Sequence, residues 1–182
     1  MTQRPARVVV VGNSGSGKTT FARQLAARLD APCLEMDSVF HRAGWDQTPD
    51  DEFQAELDEF TSTDRWVVDG NYTSHGTREV VWPRADTFIW LDLPRRVTTY
   101  RVVKRTLRRV FTREELWSGV VEPWTNLYSL DPYKNIIVWT WTMDGRTRRK
   151  YETVIAEGRW EHAEFHRLRS VEEADRFLRS VG

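Results

Sequence analysis

The segment Gly12-Asn13-Ser14-Gly15-Ser16-Gly17-Lys18-Thr19 has the spacing G-x-x-x-x-G-K-T, a pattern suited to surrounding phosphate oxygens. Such oxygens need many donors converging on a small volume. Successive backbone N–H groups converge when the chain turns tightly, which glycines at these positions permit. The helix expected from Lys18 to Leu29 would aim its free N–H groups and the positive end of its dipole at the same anion. Lys18 would reach β and γ phosphates, the Thr19 hydroxyl would ligate Mg²⁺, and Thr20 would add a hydroxyl near the α-phosphate.

A phosphate loop of this kind needs a carboxylate near its metal, at the end of a buried strand. Two apolar runs end in aspartate, residues 65–69 and 87–92, and the pattern alone does not choose between them. Asp69 is followed by Gly70-Asn71-Tyr72, a sharp turn whose polar side chain can face a ligand. Asp92 precedes Pro94 and is expected to cap the helix that starts there. Asp37 ends another strand-like run, and ligands of open α/β sheets bind outside the carboxyl ends of strands. It is a candidate to hold an acceptor hydroxyl, take its proton, or hold a metal-bound water. His41 can line the same pocket, but with no identifiable partner it is not read as catalytic.

These groups must be positioned by alternating strands and helices. Arg7-Val8-Val9-Val10-Val11 reads as a buried parallel strand, and further strands are expected at 32–36, 65–69, 87–92 and 163–168. The alternation predicts βαβ units and a five-stranded sheet with helices on both faces. Phe21, Leu25 and Leu29 form the buried stripe of the first helix. A second helix is announced by Thr48-Pro49-Asp50-Asp51, with proline at its first position, and buries Phe53, Leu57 and Phe60. The last helix opens on the S-x-x-E box at Ser170. Between residues 95 and 111, Val97, Tyr100, Val103, Leu107 and Val110 form one stripe, with Arg101, Arg105 and Arg108 on a neighbouring face. Guanidinium forks suit phosphates.

Residues 112–157 show no strand pattern. Helix starts are expected at Thr112 and at Asp131-Pro132, and the segment is read as a helical insertion over the phosphate site within a single domain. Its aromatics (Trp117, Trp124, Tyr128, Tyr133, Trp139 and Trp141) either contact substrate or pack a small core of their own.

Composition narrows the classes. With 27 basic and 27 acidic residues the net charge is zero, so no global field favours nucleic acid or an anionic membrane. The exception is local, with eight basic residues and no acidic one between Leu93 and Arg113. A lone Cys33 provides neither a disulfide framework nor a cysteine metal cluster. With no signal-peptide core and no long apolar run, a soluble, cytoplasmic protein is expected, with no membrane and no nucleic-acid partner.

Four segments carry a family resemblance. They are Gly12 to Thr20, Met36-Asp37 through Gly44-Trp45, Arg65 through Tyr72, and Ala85 through Pro94. The chain resembles nucleoside monophosphate kinases, and more closely the adenylate kinase-like family labelled "DNA topology modulation protein". The resemblance implies a P-loop three-layer α/β fold with a parallel sheet in the order 2-3-1-4-5, and ATP with Mg²⁺ in the loop. It implies that Asp69 holds a metal-bound water, that Arg101 stacks on adenine and that Arg105 clamps phosphate. Arg146 or Arg149 would supply lid arginines. The site so assembled comprises Gly12 to Thr20 and Arg101 for the nucleotide, Thr19 and Asp69 for the metal, and Lys18, Asp37, Asp69 and Arg105 for catalysis. Asp37, Asn71, Arg146 and Arg149 would face a small-molecule acceptor. The expected activity is phosphoryl transfer to a nucleotide-like or other small acceptor. An ATPase-like switch and a nucleic-acid-binding module using the basic helix are the competing classes.

Overall fold

A computed structural model describes residues 5–42, 46–72, 75–116, 121–158 and 162–181. Gly44, Trp45 and Trp117 lie outside the described residues. Five parallel strands form one sheet, β1 (Arg7–Gly12), β2 (Cys33–Glu35), β3 (Trp66–Asp69), β4 (Thr87–Leu91) and β5 (Glu164–Leu168), in the order β2-β3-β1-β4-β5. The run of four valines in β1 follows from its central place. Val8 and Val10 enter one core and Val9 and Val11 the other, so both faces of the strand are buried.

The two cores define three layers. On one face α1 (Lys18–Leu29) and α8 (Val171–Ser180) cover Val8, Val10, Ile89 and Leu91 with Phe21, Leu25, Leu29 and Leu178. The other face carries α2 (Met36–Phe40), α3 (Asp50–Thr61), α4 (Thr77–Val80), a 3₁₀ turn (Trp82–Arg84) and α7 (Ile136–Ala156). There Phe53, Leu57, Trp66, Trp82, Phe88, Trp90 and Tyr151 pack together. The long helix α5 (Arg95–Thr112) and the short α6 (Thr125–Tyr128) complete the fold.

Several local expectations change. Pro49 is the N-cap of α3 rather than its first residue, and Thr48 Oγ1 donates to Val39 O instead of capping. Phe60 stays only partly buried, and Thr61 is buried in its place. Thr112 ends α5 instead of starting a helix, because Arg113 turns left-handed at φ 52°. Asp131-Pro132 makes a turn; α7 starts four residues later, where Asn135 Oδ1 accepts from the N–H groups of Ile137 and Val138. Ser170 does cap α8, accepting from Glu173 N–H at 3.1 Å.

The insertion also packs differently from expectation. Trp124, Tyr128, Tyr133 and Trp141 are exposed, so they form no core of their own. Buried polar groups tie the segment together instead. Asn126 donates to Glu122 at 2.8 Å and accepts from Ile136 N–H, and Asn135 donates to Ser129 O at 2.6 Å. Amide side chains can donate and accept at once, which lets a short irregular segment satisfy its backbone without a sheet or a long helix.

Candidate active site

The phosphate loop leaves the centre of the sheet and bends under α5. Gly15 sits at φ +77°, and a Cβ there would lie 2.3 Å from Thr98 O. A Cβ on Gly12 would meet Leu91 O at 2.8 Å. No larger residue fits at either point without moving backbone. Ser16 N–H bonds Asn13 O at 3.1 Å, and Asn13 Oδ1 accepts from Ser14 N–H at 2.9 Å. The N–H groups of Gly15, Gly17, Lys18 and Thr19 meet no acceptor among the described residues. They form the concave donor set that a phosphate requires. Asn13 and Ser16 are buried, while Gly17 and Thr20 are open to solvent.

Asp69 lies at the end of β3, next to β1, and is nearly buried. Its Oδ2 accepts from Thr19 Oγ1 at 2.5 Å, and its Oδ1 is buried with no hydrogen-bond partner. Burial pushes this carboxyl up from its ordinary range, and nearby Lys18 and the Thr19 hydroxyl pull it back. A hydroxyl, a carboxylate oxygen left over and a lysine, all beside a loop of free N–H groups, fit a hard cation held with phosphate. No group of three or more His, Cys, Asp or Glu residues forms a metal cluster among the described residues, so phosphate oxygens and water would complete the coordination.

Asp92 departs from expectation. The cap of α5 is Pro94, with no side-chain hydrogen bond. Asp92 instead takes Arg148 at 3.1 Å on one oxygen and Arg167 at 2.6 Å on the other. Just past β4, Asp92 N–H donates to Leu168 O at 2.8 Å, which holds Asp92 inside the fold, where two guanidinium groups satisfy it.

Asn71 also does other work than expected. Its Oδ1 accepts from Gly12 N–H at 2.9 Å, its Nδ2 donates to Gly12 O, and Tyr151 OH donates to Oδ1 at 3.1 Å. Just past the end of β3, the side-chain amide acts as one more rung between β3 and β1. Asn71 therefore positions the loop rather than facing an acceptor.

Asp37 stands in the first turn of α2 and accepts from Tyr72 OH at 3.0 Å, with His41 Nε2 3.4 Å from the same hydroxyl. Burial lowers the His41 pKa, Asp37 opposing it. Asp37 acts electrostatically on both Asp69, its expected neighbour in the crevice, and Arg105. Arg105 Nε is buried without a hydrogen-bond partner. Burial and the neighbouring Arg109 lower its pKa, while Glu122 and Asp37 favour its charge.

The inward face of α5 is Thr98, Val102, Thr106 and Val110. Val97, Tyr100 and Leu107 face outward, because the close approach of Gly15 admits only small side chains beneath the helix. Arg108 turns away and pairs with Glu114 at 2.9 Å. Arg109 takes the place beside Arg105 and lies 3.6 Å from buried Glu122. Arg101 Nη1 reaches Ser16 O at 3.4 Å. It borders a cavity of about 240 Å³ lined also by Thr20, Phe21, Leu93, Val171 and Ala174.

On α7, Arg146 and Arg149 are exposed and bond within their own helix, to Met143 Sδ and Gly145 O. Arg148 faces inward, 3.2 Å from Asp144 and donating to Leu93 O at 3.1 Å. Asp144 accepts from Asn13 of the phosphate loop at 3.1 Å. Arg148, Asp144, Tyr72 and Arg109 are the site residues that sequence reasoning did not select. The i,i+4 spacings Asp144/Arg148 and Arg105/Arg109 were the available signal.

Fold and site together define a P-loop nucleotide-binding protein of the kinase type. Residues 8–113 match a family model described as an AAA domain, more than half of the chain, and the chain belongs to that P-loop kinase-like family. It is 32% identical over 131 residues to a cytidylate kinase of Pyrobaculum calidifontis, covering 60% of this chain and 69% of that protein. A shikimate kinase from Acinetobacter baumannii in complex with shikimate shares the fold, with a TM-score of 0.54, 19% identity, and coverage of 97% of this chain and 90% of that one. No described helix is long and apolar enough to cross a membrane.

Proposed function

We propose that this protein transfers the γ-phosphoryl group of ATP, with Mg²⁺, to a small acceptor bound between Asp37 and α7. The observation that carries this reading is the 2.5 Å contact of Thr19 Oγ1 with Asp69, beside Lys18 and the free N–H groups of the loop. Mg²⁺, when bound, neutralises charge on the phosphates. Thr19 and Asp69 would hold it. Lys18 binds phosphate oxygens, and the cavity beside Arg101 takes the base. Asp37, oriented by Tyr72 OH, accepts the acceptor's proton. Arg105 balances the developing charge, and Arg148 replaces Arg146 or Arg149 as the inward-facing arginine of a lid over the site. Transfer in such sites is mostly positioning and charge neutralisation.

The similarity to a cytidylate kinase supports a nucleotide-like acceptor, and the adenylate kinase-like "DNA topology modulation" group is our narrower assignment. We place the protein in the cytoplasm, as a single domain with a lid and no nucleic-acid partner. A screen of nucleosides, nucleotides and small alcohols with Mg-ATP, reading ADP release, tests the proposal. Acceptor-dependent release supports it, and release independent of any acceptor establishes an ATPase instead. Mg-ATP at a hundredfold excess over Kd should add about 2.7 kcal/mol of stability to the wild type. Lys18→Ala should lose most of this. Equal thermal shifts for the two proteins would remove the phosphate-loop assignment.

A further inference from the structure

Several cations of this fold meet carboxylates across short distances, as Arg84 meets Asp58 and Arg23 meets Glu35. Arg78 and Lys150 are held differently. Arg78 on α4 lies over the Trp82 ring at 5.2 Å, and its Nε is buried with no hydrogen-bond partner. Lys150 on α7 donates to the carbonyl of Asn71 at 3.3 Å. No described carboxylate pairs with either, and the charge that acts on Lys150 is that of Arg78 itself. Two half-buried cations within Coulomb range repel, and burial adds the loss of hydration. Burial and Arg78 together bring the Lys150 pKa down to about 8, so at neutral pH the pair still carries both charges. The arrangement is costly unless an anion joins it.

The location gives that anion a role. Lys150 contacts the residue that precedes Tyr72, whose hydroxyl holds Asp37. The carboxylate proposed to take the acceptor's proton and Lys150 thus border the same short segment, Asn71-Tyr72, from different elements.

We propose that Arg78 and Lys150 form an anion-binding site between α4 and α7 that docks a carboxylate or phosphate group of the acceptor, making the acceptor an anionic small molecule. This rests on the phosphotransferase reading above, which it deepens. Arg78 supplies a planar fork of donors and Lys150 a point charge, a combination suited to an oxyanion. The Trp82 face holds the guanidinium in place from behind.

The test is a titration with inorganic phosphate and, separately, with malonate, followed by thermal shift and tryptophan fluorescence. It is run in the Lys18→Ala background, so that phosphate binding at the loop is weakened, and the dependence on Arg78 and Lys150 separates the two sites. Saturable binding is expected, weakened about tenfold by either Arg78→Gln or Lys150→Gln, the loss of one charge-assisted contact. Arg78→Lys should recover part of the affinity. The tighter of the two probes tells whether the acceptor's anion is a phosphate or a carboxylate. Affinities equal to the parent in both Gln variants, or no saturable binding of either anion, would overturn the proposal. If Arg78→Gln does not fold, Lys150→Gln and Arg78→Lys decide. Mg-ATP stabilisation of the wild type is measured in parallel. If it persists while anion binding fails, this site falls and the phosphotransferase reading stands; anion binding without any ATP effect means the reverse.

Discussion

Asp69 and Asp92 stand at the ends of the two strands that flank β1, each closing a buried apolar run, and the fold treats them in opposite ways. Asp69 meets a hydroxyl and keeps one oxygen without a partner. Asp92 is as deeply buried, yet both its oxygens are taken by arginines from α7 and β5. One carboxylate keeps an oxygen available and the other has both oxygens paired. A buried strand ending in aspartate is therefore not a functional signature by itself. What arrives from distant parts of the chain decides whether the carboxylate serves a ligand or the fold.

Substitution should separate the two. Asp69→Asn keeps the volume but removes the charge that balances Mg²⁺, so turnover at saturating Mg-ATP should fall on the order of a hundredfold or more. Its stability without ligand should hold or rise, since burial disfavours the charged form. Asp92→Asn should do the opposite, leaving the Mg²⁺ dependence of nucleotide binding nearly intact. It should cost about 2–3 kcal/mol of stability, the lower end for a broken buried pair because Arg148 and Arg167 remain partly exposed. Urea unfolding and a Mg²⁺ titration on both variants check this. A larger loss of Mg²⁺ dependence in Asp92→Asn would show that the metal-side acid had been assigned to the wrong strand.

A smaller effect sharpens the contrast on the acceptor side. Lys150 has its pKa lowered to about 8 from 10.5. It faces Arg78 and the Tyr151 ring, and burial raises the Tyr151 pKa further above its ordinary value. Affinity for an anionic probe should therefore decline as pH rises through about 8, when Lys150 loses its proton. Over the same range fold stability should rise toward pH 10.5, because there the unfolded chain binds the extra proton. Lys150→Gln should flatten both trends, and identical pH profiles for the two proteins would refute the assignment.

Tyr72→Phe should have the smallest effect. It removes one hydrogen bond to Asp37, worth about 1 kcal/mol. The expected signature is a several-fold loss in acceptor-dependent turnover with nucleotide binding unchanged, read from kcat/KM for each substrate.

Much of this architecture is legible in the residue order because it is local. The loop from Gly12 to Thr19 needs only contiguous glycines, a lysine and a threonine between a valine strand and an amphipathic helix, and its geometry follows from backbone sterics. The same holds for the Ser170 cap and for both faces of β1. Asn71 shows where local reading stops. Its position after Asp69 pointed to a ligand, but parallel pairing of β3 with β1 brings Gly12 within reach, and the amide bonds there instead. The inward face of α5 was misread in the same way. Hydrophobicity favoured Val97, Tyr100 and Leu107, while the close approach of Gly15 selected Thr98 and Val102.

By itself, then, the sequence determined the phosphate loop, the strand and helix alternation and the pool of candidate acids and arginines, since each depends on neighbours within a few residues. Only the tertiary structure decided that Asp69 keeps an oxygen without a partner while both oxygens of Asp92 are paired, that Arg148 faces inward while Arg146 and Arg149 do not, and that the charge of Arg78 acts on Lys150. Those outcomes depend on groups brought together from far apart in the chain, and Coulomb and desolvation energies act on distance in space, not in sequence.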